Sequence, residues 1–111
     1  MDAVRQLAER AVRNGGLRVI SYCDGKGTLL GILLDAGIAV SRYLSVESDP
    51  EARRVCRVNY GGTREGLGHD ALRFFDDARA LTLRDVQQCD CWPVDLIVGG
   101  TPCNDQGGQV R

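Results

Sequence analysis

Three groups of residues in this sequence have types and spacing that could do chemistry, and each group follows a short apolar run. They are the glycine-rich turn Asp24-Gly25-Lys26-Gly27-Thr28, the acid Glu47 with Asp49 close behind it, and the turn Gly99-Gly100-Thr101-Pro102-Cys103-Asn104-Asp105. A glycine turn lets backbone N–H groups approach a ligand, a carboxylate accepts hydrogen bonds from ribose hydroxyls, and a thiolate is a nucleophile. Each group also has a plain structural interpretation, as a tight turn, a solvated surface acid and a buried small side chain respectively.

The first two groups together predict a site for a cofactor that contains a nucleoside. Glu47 follows Asp24 at close to the spacing of about 20 residues at which an acid meets a ribose in dinucleotide-binding folds, and Asp49 is the alternative acid. The dinucleotide pattern is incomplete, because Leu30 stands where its third glycine belongs. A cofactor without a pyrophosphate therefore fits better than NAD, and S-adenosyl-L-methionine is the leading candidate of that kind.

Strands and helices alternate along the chain, which predicts an α/β fold with a parallel sheet. Strands are expected at Leu17–Tyr22, Ser41–Val46 and Val94–Val98, and helices at Asp2–Arg13, Thr28–Ala36, Pro50–Asn59 and Leu81–Gln88. The third of these helices is expected to turn Val55 and Val58 inward. The glycine-rich segment Gly61–Gly68 is expected to be a loop, with a short strand as an option around Leu67–His69.

The composition is that of one small globular domain, with 111 residues of which 43% are hydrophobic and 26% are charged. The formal net charge of -1 and the pI of about 5.7 lack the basic excess of a self-sufficient DNA-binding domain. Five cysteines at irregular spacing favour free thiols over a disulfide scaffold or a zinc site. No apolar run is long enough to cross a membrane and no secretory signal is visible, so an intracellular protein is expected.

Four segments, in order along the chain, carry a resemblance to a known family. They are Val19–Thr28, Arg42–Glu47, His69–Ala71 and Asp95–Asp105. These segments are similar to the first four motifs of the DNA cytosine-5 methyltransferases, and the Pro-Cys-Asn-Asp form of the fourth points to the animal-type de novo branch. The resemblance covers residues 17 to about 105. It implies a Rossmann-like S-adenosylmethionine-dependent methyltransferase fold, with a partial parallel sheet and flanking helices.

The resemblance also implies a role for each matching residue. The residues Asp24, Gly25, Lys26, Gly27 and Thr28 would surround the methionine part of S-adenosyl-L-methionine, and Glu47 would bind its ribose. Asp70 would accept a hydrogen bond from the adenine amino group, beside Ala71 and Leu72. Cys103 would attack carbon 6 of a cytosine flipped out of the duplex, which makes carbon 5 nucleophilic enough to accept a methyl group. No metal is implied, and Cys23 stands where the family has an aromatic residue beside the cofactor.

On this resemblance the chain divides into an N-terminal helix at residues 1–16, a partial catalytic domain at 17–105 and a short tail at 106–111. The family's later motifs, which supply a glutamate that protonates the base and a DNA-reading region, have no counterpart here. We therefore expect a DNA (cytosine-5-)-methyltransferase, nuclear if the source is eukaryotic, whose DNA contacts come mostly from a missing C-terminal half or a full-length methyltransferase partner. Two alternatives remain: a catalytically silent relative that binds cofactor or a methyltransferase, and an unrelated nucleotide-binding α/β domain.

Overall fold

The computed structural model describes residues 2–62, 67 and 70–99. In chain order their elements are α1 (Asp2–Asn14), β1 (Leu17–Tyr22), α2 (Thr28–Asp35), β2 (Val40–Val46), α3 (Pro50–Tyr60), β3 (Leu72–Phe75), a 3-10 helix (Ala78–Ala80), α4 (Leu83–Gln88) and β4 (Leu96–Val98). None of the helices in this part of the chain has the length and apolarity needed to span a membrane. The alternation of strands and helices confirms the α/β fold expected from the sequence.

The four strands form one parallel sheet in the order β3-β2-β1-β4. The chain moves outward from β1 through β2 to β3, and then crosses to the other side of β1 to form β4. The direction of winding therefore reverses beside β1, as it does in Rossmann-like folds. In such sheets ligands bind outside the carboxyl ends of the strands at the reversal, so this edge is where a site is expected.

Apolar side chains cover both faces of the sheet, as a parallel sheet requires. The first cluster, on the face covered by α1, α2 and α3, contains Ala11, Leu17, Val19, Leu30, Leu33, Ile38, Val40, Tyr43, Cys56, Leu67 and Leu72. The second cluster, on the face covered by α4, contains Ile20, Leu44, Val46, Val86 and Cys91. Because successive residues of a strand point to opposite faces, each central strand contributes to both clusters, and the sheet is fixed from both sides.

Most elements lie where the sequence predicts them. The strand β1 has the predicted bounds, and α1, α2, β2 and α3 agree with prediction to within one residue at each end. The helix α4 and the strand β4 each begin two residues later than predicted. The start of α4 is fixed by a capping box, in which the Thr82 side chain accepts from the Asp85 N–H while the Asp85 carboxylate accepts from the Thr82 N–H.

Two features differ from the sequence predictions. The strand β3 is not predicted by the pattern, since its four residues alternate poorly and are followed by two acids. The expectation that Val58 faces inward is wrong, because its side chain is 62% exposed. The buried residues of α3 are Ala52 and Cys56, whose spacing of one turn and small size let the helix approach the sheet closely.

Candidate functional site

The glycine turn after β1 and the acid after β2 lie side by side at the carboxyl edge of the sheet. Tyr22 and Val46, which end these two strands, are register partners. The Cys23 N–H then donates to the Val46 carbonyl at 2.9 Å. This hydrogen bond places the turn that begins at Asp24 next to Glu47, so the structure brings the first two predicted groups together.

Asp24 fastens the turn to β2 rather than facing solvent. Its carboxylate is buried, and it accepts a hydrogen bond from the Tyr43 hydroxyl at 2.6 Å and another from the Ser45 hydroxyl at 2.7 Å. A buried carboxylate needs such donors, because removal from water disfavours its charge. Burial, together with the charge of Asp24, raises the pKa of Tyr43 well above its ordinary value, so the phenol remains a donor. The side chain of Asp24 is therefore committed to internal contacts.

Glu47 is held by backbone groups and keeps unused acceptor positions. Its side chain is buried, with the residue 6% exposed. Oε1 accepts from the Gly25 N–H at 2.7 Å, and Oε2 accepts from the Asp49 N–H at 3.1 Å. A carboxylate offers about four acceptor positions, so with respect to the described residues each oxygen retains one for a further donor. The two oxygens are thus fixed in place and can still bind a pair of hydroxyl groups.

The two glycines of the turn are required for different reasons. Gly25 has a φ of +64°, and a Cβ built on it would meet nothing within 4 Å, so the turn is open on that side. Gly27 has a φ of +88°, and a Cβ there would lie 2.7 Å from the Cys56 Sγ and 3.1 Å from the ring of Tyr60. Gly27 is therefore needed where α3 packs against the turn, whereas Gly25 leaves space at the surface.

The start of α2 adds hydrogen-bond donors to this edge. Gly27 is the N-cap residue of α2, and it has no side chain that could accept a hydrogen bond from the first turn. The N–H groups of a first helical turn have no partner within the helix, and the positive end of the helix dipole lies there. The exposed Lys26 places a further positive charge in the same turn. This part of the site therefore favours an anionic group such as a carboxylate or phosphate.

The structure does not bring Asp70, Ala71 and Leu72 to this edge. Leu72 begins β3 and is the register partner of Tyr43 in the middle of β2, and the Ala71 carbonyl accepts from the Tyr43 N–H. Asp70 precedes the strand and is exposed. The strand β3 spans three residue steps, so Leu72 lies roughly 10 Å from Phe75 at the carboxyl edge, and Asp70 lies two residues before Leu72. The acid predicted to meet adenine thus lies at the wrong end of β3 for a shared site with Glu47.

The acids that do lie beside Glu47 follow β3 and were not singled out from the sequence. The Glu47 N–H donates to the carbonyl of Phe75, the last residue of β3. Arg53 Nη1 donates to the Glu47 carbonyl at 2.8 Å and to the Asp76 carboxylate at 2.6 Å, which ties the ends of β2 and β3 together. The next residue, Asp77, caps the 3-10 helix. The signal available in the sequence was the Asp-Asp pair directly after an apolar run.

The third predicted group begins at the same edge. Val98 of β4 is the register partner of Ser21 in β1. Gly99, with a φ of +138°, lies so close to β1 that an added Cβ would come within 2.5 Å of the Tyr22 Cβ. The chain therefore leaves β4 beside the turn that carries Asp24. The predicted nucleophile Cys103, like His69, lies outside the described residues.

The cysteines at positions 56, 89 and 91 are free thiols. Burial, reinforced by the Asp24 charge, raises the pKa of Cys56 to about 12, and burial raises the pKa of Cys91 to about 11. Thiols with such values are almost entirely protonated at neutral pH and are poor nucleophiles.

Within residues 2–62, 67 and 70–99, no group of three or more acidic, cysteine or histidine residues could hold a metal ion. The sequence matches no protein-family model.

Proposed function

We propose that this chain binds S-adenosyl-L-methionine at the carboxyl edge of its sheet and forms part of a DNA (cytosine-5-)-methyltransferase. The observation that carries the proposal is the Glu47 carboxylate, which is buried, fixed by the Gly25 N–H and still able to accept two hydrogen bonds. A ribose presents two neighbouring hydroxyls, and a carboxylate is the side chain that binds both. The resemblance of four segments to the methyltransferase motifs selects the cofactor and the reaction.

The remaining parts of the site fit the two ends of this cofactor. The methionine carboxylate would meet the open side of Gly25, the free N–H groups at the start of α2 and the charge of Lys26. We assign the adenine end to the segment after β3, where Asp76 and Asp77 lie beside Glu47. This assignment replaces Asp70, which lies at the other end of the strand.

The chemistry would be divided between the cofactor and Cys103. S-adenosyl-L-methionine would supply the methyl group, and Glu47 and the turn at Gly25 would hold it at the carboxyl edge of the sheet, the edge at which the chain also leaves β4. The thiolate of Cys103 adds to carbon 6 of a flipped-out cytosine, so that carbon 5 becomes nucleophilic and takes the methyl group. Loss of the carbon 5 proton to a base then lets the bond between sulfur and carbon 6 break. With a net charge of -1 the chain draws most of its DNA contacts from other segments or a partner.

Isothermal titration calorimetry of S-adenosyl-L-methionine against the purified chain tests the cofactor site. We expect saturable binding by the wild type and by Glu9→Gln, which makes the same change at an exposed position on α1. Glu47→Gln should bind at least about tenfold more weakly, because the negative charge is lost and one accepting oxygen is replaced by an NH2 group that cannot accept from a ribose hydroxyl. Circular dichroism of each variant shows whether the fold is retained. A folded wild-type chain that binds NAD but not S-adenosyl-L-methionine would support the unrelated nucleotide-binding domain instead.

A DNA oligonucleotide containing 5-fluorocytosine tests the nucleophile. Fluorine at carbon 5 cannot leave as a proton does, so the bond between Cys103 and carbon 6 persists once the methyl group has been transferred. We expect an adduct that survives a denaturing gel, requires S-adenosyl-L-methionine and is absent from Cys103→Ser. The assay is run with the chain joined to, or mixed with, a methyltransferase segment that supplies the DNA contacts; cofactor binding without any adduct under those conditions would favour the catalytically silent relative over the enzyme.

A further inference from the structure

Two arginines stand next to each other at the opposite, amino-terminal edge of the sheet. Arg18 of β1 and Arg42 of β2 are register partners, so their Cα atoms lie about 5 Å apart across neighbouring strands. Both side chains are half-buried. Like charges placed directly opposite each other in a sheet are destabilising. An arrangement of this kind needs a compensating partner or a function.

A break in strand register creates the pair. Between Leu17 and Arg18 the register with β2 shifts by one residue, so that Val40 and Arg42 face consecutive residues of β1. The extra residue, Ser41, donates its hydroxyl to the Gly16 and Leu17 carbonyls. The bulge turns Arg42 to the face of the sheet that carries Leu44 and α4, the face of Arg18. Bulges are found next to sites because they re-aim a side chain.

Neither guanidinium is neutralised within the part of the chain that the structure describes. Arg42 donates to the Ser41 carbonyl, and neither arginine takes part in an ion pair there. Asp95, the acid nearest in register, is bound instead by the Arg18 N–H, by Asn14 and by Arg10. The positive charge of the pair is therefore available to a ligand.

The two arginines line one cavity together with an exposed aromatic ring. The cavity has a volume of about 580 Å³, within the range of small-molecule sites, and its lining includes Arg18, Arg42, Asp90 and Trp92. Trp92 is 51% exposed. Its indole offers a stacking surface, and Asp90, the one carboxylate among the described lining residues, can accept from hydroxyl or amino groups.

From this arrangement we infer a second ligand site, for a nucleotide whose phosphate binds Arg18 and Arg42 and whose base stacks on Trp92. Paired guanidinium groups match phosphate oxygens with several donors at once, and base stacking on an aromatic ring tolerates any base. The ligand is a free nucleotide or an unpaired nucleotide of single-stranded DNA. This site lies at the other edge of the sheet from Glu47 and does not depend on the proposed methyltransferase function.

The fluorescence of Trp92 reports on this site directly, because Trp92 is the single tryptophan of the protein. Titration with deoxycytidine 5′-monophosphate should quench the indole fluorescence saturably, whereas deoxycytidine and inorganic phosphate should each bind more weakly. A short single-stranded oligonucleotide distinguishes the sources, because tighter binding per site than the mononucleotide identifies single-stranded DNA as the ligand. Equal or weaker binding identifies the free nucleotide.

Variants separate a built site from general attraction between charges. Arg18→Gln and Arg42→Gln should each weaken nucleotide binding at least about tenfold. Arg84→Gln, which removes one positive charge from α4 outside the cavity lining, should leave nucleotide binding unchanged. Trp92→Leu, followed by calorimetry, should weaken binding of the nucleotide while leaving that of inorganic phosphate unchanged. A folded wild type that does not bind the nucleotide, or an Arg84 variant as impaired as the others, overturns the inference.

The stability of the ligand-free variants gives a second readout. Because the two charges repel, Arg42→Gln should melt at the same temperature as the wild type or higher without ligand, and should gain less from added nucleotide. A lower melting temperature without ligand would show that Arg42 serves the fold and not a site. Binding of S-adenosyl-L-methionine should be unchanged in Arg42→Gln, so failure of either proposal is visible separately.

Discussion

Removal of the Tyr43 hydroxyl tests whether Asp24 is a structural anchor of the glycine turn. In Tyr43→Phe the buried Asp24 carboxylate loses its 2.6 Å donor and keeps the Ser45 hydroxyl. A hydrogen bond to a charged group contributes about 1.5–3 kcal/mol to stability, and Tyr43 is only 1% exposed, so water cannot replace the donor. We therefore expect the free energy of unfolding to fall by about 1.5–3 kcal/mol.

Urea denaturation followed by circular dichroism measures this change. For a domain of this size, about 1 kcal/mol corresponds to a shift of roughly 4–8 °C in melting temperature, so thermal melts should also resolve the effect. The matched control is Tyr22→Phe, which removes a hydroxyl from the half-buried end of β1 and should change stability by less than about 0.5 kcal/mol. Equal stabilities for the two variants would refute the anchoring role of Asp24.

Three further outcomes follow from the same region. Gly27→Ala should destabilise the fold by about 2–5 kcal/mol, and Gly37→Ala by about 1–2 kcal/mol, as measured by the urea midpoints of the two variants. Both glycines have a positive φ, but only at Gly27 would an added Cβ clash with neighbouring atoms. Iodoacetamide at pH 8 should alkylate Cys56 and Cys91 much more slowly in the native protein than in urea, as read by peptide mass spectrometry, because burial raises both pKa values; equal rates would contradict their burial. The pKa values of Tyr43 and Cys56 are higher in the folded protein than in the unfolded chain, so their contribution to stability is complete below about pH 9 and declines as pH rises. Urea midpoints at pH 8 and 10.5 should show this decline, and the decline should be smaller in Tyr43→Phe.

The α/β fold and most element bounds could be predicted because local pattern dictates them. The apolar run of β1 and the glycines that end α1 and α2 are local signals, and these bounds agree with the structure. The same signals predicted that a glycine turn and an acid would end neighbouring strands. Parallel strands carry their carboxyl ends to one edge, so the meeting of Gly25 and Glu47 followed from the fold class.

The tertiary structure alone decided which acid accompanies Glu47 and what each site residue contacts. Strand β3 is four residues long and its pattern is weak, so only its pairing with β2 shows that Asp70 precedes the strand and Asp76 follows it. Likewise, the burial of Asp24 under Tyr43 and the packing of Gly27 against Cys56 are contacts between residues far apart in the sequence. Local pattern determines which residues form strands and helices. Long-range packing determines which side chains meet, because register and burial are set only when the strands pair and the helices cover them.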